Sequence, residues 1–155
     1  MGNNHLKKSL IPKSATLNTT TKFINKEATT LFNNNVEGND SLVFTSLRFI
    51  QYSYQCFHQW TKQEMNEFWR FNSSIHEKTW SSVYGSATKN KKNKSGLGYT
   101  VIDLSKYPNP EFKENLSSDI TIFELRVNRT IRVHGFRSQA VFYICWLDRD
   151  HKLLD

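Results

Sequence analysis

The chain has 155 residues, with 21 Lys and Arg against 14 Asp and Glu, a formal net charge of +7. Eleven Phe, six Tyr and four Trp make it 14% aromatic, enough for a packed core and too rich for a wholly disordered chain. No run approaches the roughly 18 apolar residues of a membrane span, no apolar stretch follows Lys7 and Lys8 as in a secretory leader, and Cys56 and Cys145 are too few for a disulfide framework or a zinc site. These features predict a cytoplasmic protein with no membrane partner, no metal and no cofactor.

In chain order, residues 1–41 hold eight Asn and six Thr among scattered apolar positions, which predicts a flexible arm outside the core. The folded domain is expected over 42–155. Leu42, Phe44, Leu47 and Phe49 predict a strand over about 42–51. Thr61-Lys62-Gln63-Glu64 has the form of a capping box, and so has Ser74-Ile75-His76-Glu77. Apolar residues follow each at helical spacing, and Gly85 is a natural stop. Two short tandem helices are therefore expected.

Residues 86–98 form a loop in which Lys89, Lys91, Lys92 and Lys94 alternate with Asn, either a solvated charge run or a phosphate contact. Tyr99 to Leu104 has strand character, and Pro108 and Pro110 impose an extended connection. Residues 120–127, 130–136 and 140–147 then alternate as three strands, separated by turn-length segments. The fold class is α+β: a strand, two helices and an antiparallel meander.

Matching the apolar sets on one face gives a register for the meander. Leu125 pairs with Val133 and Val127 with Ile131; Val133 then pairs with Ile144, and Ile131 with Trp146. The helices are expected on the face of Phe123, Leu125, Val127, Ile131, Val133, Phe142, Ile144 and Trp146. The opposite face carries Glu124, Arg126, Arg132, His134, Tyr143 and Cys145, with Arg126 beside Arg132 and His134 beside Tyr143. Two adjacent arginines repel, so this face suits a phosphate-bearing ligand; an ordinary solvated face is the competing explanation. Because they flank Val133, Arg132 and His134 are expected at the surface, replaceable without loss of fold. Asp148-Arg149-Asp150-His151 has metal-ligand residue types, but a strand end placing His151 beside His134 explains it better.

The element order, together with Phe123-Glu124-Leu125-Arg126-Val127, Arg132-Val133-His134-Gly135-Phe136 and Val141 to Leu153, resembles the RelE/ParE-like toxin superfamily. The motifs are R-x-H-G-F, F-Y-I-x-W-L-D and a final D-H-x-L. Topological likeness covers about 42–155 and residue-level likeness about 119–154. Leu154 stands where relatives commonly carry a tyrosine. The resemblance implies a toxin of a toxin–antitoxin system. It implies an mRNA endonuclease acting on free or ribosome-bound RNA and blocked by a small antitoxin protein. By position it assigns Arg126, Arg132, His134, Tyr143 and His151 to catalysis. Lys152, Arg137, Arg149, Lys91 and Lys92 would be cations for the RNA backbone.

Metal-independent cleavage needs a base for the 2′-OH, an acid for the leaving 5′-oxygen and cations for the phosphorane. Histidine serves either role near neutrality, which places His134 and His151 as the pair. Arginine forks match phosphate geometry. Since some ParE-like toxins poison gyrase and cut nothing, a non-catalytic module that binds nucleic acid or protein is the alternative.

Overall fold

The computed structural model describes residues 38–51, 55–87 and 96–154. Five strands form one sheet: β1 (Phe44–Ser46), β2 (Thr100–Val101), β3 (Ile122–Arg126), β4 (Arg132–Ser138) and β5 (Val141–Asp148). Their order is β1-β5-β4-β3-β2. β1 runs parallel to β5, and the other neighbours are antiparallel. The helices are α1 (Lys62–Ile75), α2 (Trp80–Gly85) and the one-turn α3 (Pro110–Glu114). The α+β class and the order strand, two helices, meander are as expected.

At α1 the capping box is complete. Glu64 N–H donates to Thr61 Oγ1 (3.2 Å) and Thr61 N–H donates to Glu64 Oε2 (2.7 Å), so two orphan donors of the first turn are satisfied. Phe68, Phe71 and Ile75 then bury one stripe. The second expected box does not form. Ser74 lies inside α1, because burial of Phe71 and Ile75 carries that helix through it. Thr79 caps α2 instead, accepting from Ser82 N–H at 3.2 Å. Trp80, fully buried, donates its indole N–H to the Ala140 carbonyl (3.1 Å) and pins α2 to the β4–β5 turn. Of the strand expected over 42–51, Phe44–Ser46 forms as a strand, beside Val141 to Tyr143, and Leu42 makes an isolated bridge to Thr79.

Both helices pack on the sheet face of Phe123, Leu125, Ile131, Val133, Phe142, Ile144 and Leu147. The first hairpin has the expected register, Leu125 opposite Val133, with Val127 N–H donating to the Ile131 carbonyl (3.0 Å). The second does not. Val133 faces Leu147, Gly135 faces Ile144 and His134 faces Trp146. The turn is Gln139-Ala140, one residue further along the chain than the expected register implies, which leaves every side chain on its face. A bulge beside His134 and Gly135 then adds one residue and exchanges the faces beyond it. Leu147 joins the helix side, and Trp146 turns to the other.

That other face is not open. Tyr107, Ile122, Phe136, Cys145, Trp146 and Leu153 form a second buried cluster beneath the 102–116 segment. Tyr107 stacks on Trp146 (centroids 4.6 Å apart, 20° between planes), and Phe112 meets its edge at 5.3 Å. The exposed cationic face expected from the alternation is therefore corrected to a sheet buried on both sides over most of its length.

All described residues belong to one unit, Asn35–Asp155. The arm expected over 1–41 lies outside the described residues, save 38–41. There the Gly38 carbonyl and Asn39 Oδ1 accept from Arg137 (2.7 and 2.6 Å), and Ser41 is buried. Among the described residues no helix is long and apolar enough to cross a membrane.

Candidate functional site

Two cross-strand rows at one end of the sheet carry the polar residues. Glu124, His134 and Trp146 lie side by side on β3, β4 and β5; Arg126, Arg132 and Asp148 form the next row. His134 is wholly buried. Its Nδ1 is 2.9 Å from the Tyr107 hydroxyl, and its Nε2 is 3.4 Å from Asp148 Oδ2 and 4.0 Å from Glu124 Oε2. Burial, with the carboxylates of Glu124 and Asp148 nearby, raises the Tyr107 pKa. Its phenol therefore stays protonated and shares a hydrogen bond with Nδ1 whose direction is set by the ring's tautomer. Nε2 faces two carboxylates, which only accept. Nε2 and Asp148 Oδ2 make no well-formed hydrogen bond; the 3.4 Å approach is electrostatic.

Burial pushes the Asp148 carboxyl up. His134 and the backbone N–H groups of Lys152 and Leu153 act against it, and the balance lies below the ordinary value. The stabilising contribution is thus present above the unfolded-state value of 3.8 and lost as pH falls through the lower folded value. In acid melts below about pH 4, Asp148→Asn should lose stability less steeply than wild type. An identical slope would remove Asp148 from the acid response.

The expectation that Arg132 and His134 are surface residues is overturned. His134→Ala would orphan the Tyr107 hydroxyl, remove the ring that faces Asp148 Oδ2 and leave a void. The expected cost is about 2–4 kcal/mol, read as a melting temperature lower by roughly 10 °C or more. Arg132, also buried, donates from Nη1 to the Asn128 and Ile131 carbonyls (both 3.0 Å). Burial lowers its pKa, and Arg126 acts in the same direction against Glu124 and Asp148.

His151 is brought to this cluster. Its side chain is half exposed, and Nε2 lies 3.8 Å from Glu124 Oε2, the same oxygen that faces His134. Its backbone is left-handed, φ 56°, a conformation of the kind that collects at functional sites. Gln55 holds the turn: Oε1 accepts from Arg149 N–H (2.6 Å), and Nε2 donates to Asp150 Oδ2 (2.8 Å). From the other side, Lys152 N–H donates to Asp148 Oδ1 (2.8 Å). Asp148 and Asp150 thus turn to different partners, and among the described residues no group of three His, Cys, Asp or Glu side chains is placed to hold a metal ion.

Arg126, Arg129 and Arg132 with Asn128 line an open cleft of about 680 Å³, walled by Gly96. Arg126 N–H donates to the Leu97 carbonyl (2.6 Å). A Cβ on Gly98, where φ is +60°, would come within 3.2 Å of the Arg126 guanidinium, so the 96–98 segment fits closely over it.

The other expected site residues are elsewhere. Tyr143 is opposite Phe136, not His134, in an aromatic stack with Phe49. Arg137, at the far end of β4, lies 4.5 Å from the Trp80 ring centre and binds Gly38, Asn39, Tyr84 and Gln139; it is a staple. Arg149 donates to Glu64 Oε1 (2.7 Å) and ties the strand end to α1. Lys152 is exposed beside His151. Lys91 and Lys92 lie outside the described residues. Sequence reasoning missed Tyr107 and Arg129, and gave Glu124 only a charge-balancing role. Alternation of Glu124 with Arg126 was the one available signal.

No family model matches the chain, and no curated protein and no solved structure shows significant similarity to it.

Proposed function

We propose that this protein is a metal-independent RNA endonuclease of the RelE/ParE-like toxin type, held in check by an antitoxin protein. The observation that carries the reading is the approach of His151 to Glu124 at 3.8 Å beside the row of Arg126 and Arg132. The strand, two-helix and meander order supports the family.

The chemistry assigns the roles differently from the sequence reading. His134 is too deeply buried to touch a substrate; with Tyr107 and Asp148 it positions Glu124. Glu124 takes the proton of the 2′-hydroxyl as that oxygen attacks phosphorus. His151 gives a proton to the departing 5′-oxygen as the P–O bond breaks. The products are a 2′,3′-cyclic phosphate and a 5′-hydroxyl. Arg126 and Arg132 offset the charge of the phosphorane. A second reading, a non-catalytic module that binds nucleic acid or protein, including a gyrase poison, draws on the burial of His134 and Arg132. Both then serve the fold.

Induced expression in a bacterial host separates the two. Growth arrest with new RNA 5′ ends is expected. Arrest with intact RNA and broken chromosomes would move the protein to the gyrase-poison class.

A further inference from the structure

The arginine cleft does not end at Arg126. A second hollow of about 320 Å³ shares Gly96, Arg126 and Val127 with it and adds Lys78 and Arg70 from the helical layer. A third, of about 680 Å³ on the outer side of α1, shares Arg70 and Ser74 with the second and is bordered by Trp69. Shared lining residues set the three hollows side by side. Five cations, Arg132, Arg129, Arg126, Lys78 and Arg70, line them.

Trp69 is 55% exposed, whereas Trp60, Trp80 and Trp146 are 8% exposed or less. A lone exposed apolar side chain is ordinary on a protein surface. This one is the largest available π-face, and it closes a hollow otherwise lined by polar residues. Glu67 and Glu77 also border these hollows. Glu67 holds Arg70 only loosely, at 3.5 Å and with the arginine 77% exposed, an exchange a phosphate makes at little cost. Cations spaced along a groove with an aromatic platform are the chemistry that binds a single strand. A duplex keeps its bases stacked on each other and offers no free face to an indole.

We propose that Trp69 is a base-stacking platform, and that single-stranded RNA held at the Arg126–Arg132 cleft passes Lys78 and Arg70 to reach it. The inference rests on the nuclease reading for its direction, but not for its test.

The probe is a short 2′-O-methyl oligoadenylate, which lacks the attacking hydroxyl and stays intact on the full-length protein. Because the other three tryptophans are buried, quenching of indole emission reports Trp69. Oligoadenylate should quench it, and linear polyphosphate, which has charge but no bases, should bind without quenching. Trp69→Ala should weaken oligoadenylate roughly 5- to 150-fold and leave polyphosphate unchanged. Replacing Arg70 and Lys78 by alanine should reduce the salt-dependence slope by about 1.4, two phosphates at about 0.7 each. Oligoadenylate binding that neither quenches nor responds to Trp69→Ala overturns the inference and leaves Trp69 to a protein partner. If unmodified RNA is still cut in that case, the nuclease reading survives; if neither the oligoadenylate nor unmodified RNA is bound and RNA is not cut, both fall.

Discussion

Gly135→Ala is expected to unfold the domain or lower its stability by at least about 3 kcal/mol. The cause is space, not conformational freedom. Gly135 faces Ile144 next to the β4 bulge. A Cβ there would overlap the Tyr143 carbonyl oxygen, lie 2.9 Å from that carbonyl's carbon and press on the Phe142 ring at 3.0 Å. Two of those atoms are backbone of the central hairpin, so relief requires β5 to move away from β4. Gly85→Ala is the matched control. Its Cβ would meet nothing within 4 Å, and alanine favours the last turn of α2. Thermal melts of the two variants should diverge widely. A Gly135→Ala protein melting within about 1 kcal/mol of wild type would mean that the strands do not approach as closely as this bulge requires.

The same glycine explains where the sequence could be read and where it could not. Thr61 and Glu64 announce their cap, because the box is local and its two hydrogen bonds depend on spacing alone. The first hairpin is legible because polar Glu124, Arg126 and Arg132 alternate with apolar Leu125, Ile131 and Val133. From Phe142 to Leu147 every residue is apolar or aromatic, so a period of two has no phase there. Nothing local tells Trp146 from Leu147. What decides is steric: Gly135 lets β5 come close, the bulge forms, and Trp146 turns toward Tyr107. The covering segment was legible only as an extended stretch around Pro108 and Pro110. That it lies over His134 depends on Tyr107 meeting Trp146, a contact across 39 positions of sequence. Polar alternation at Arg132 and His134 therefore signalled solvent where the fold places a buried hydrogen-bond cluster. The proximity of His151 to His134, expected from the strand end, comes about through an oxygen they share on Glu124.

Glu124→Gln and His151→Asn are each expected to lower RNA cleavage by about 100- to 10,000-fold with the fold kept. Glutamine keeps the size of Glu124 and loses the base. Asparagine tolerates the left-handed backbone at position 151, φ 56°, better than alanine, and cannot deliver a proton. His151 is half exposed and Glu124 keeps 13% of its side chain accessible, so neither change should cost more than about 1 kcal/mol in a melt. That separates them from His134→Ala, whose loss of activity would come with loss of stability. The double variant should be little worse than either single one, because a base and an acid serving one displacement act as a unit. If both single variants cut RNA at the wild-type rate, the 3.8 Å contact is only a surface ion pair. The base and the acid would then lie elsewhere, and the arginine cleft would hold RNA without this pair cutting it.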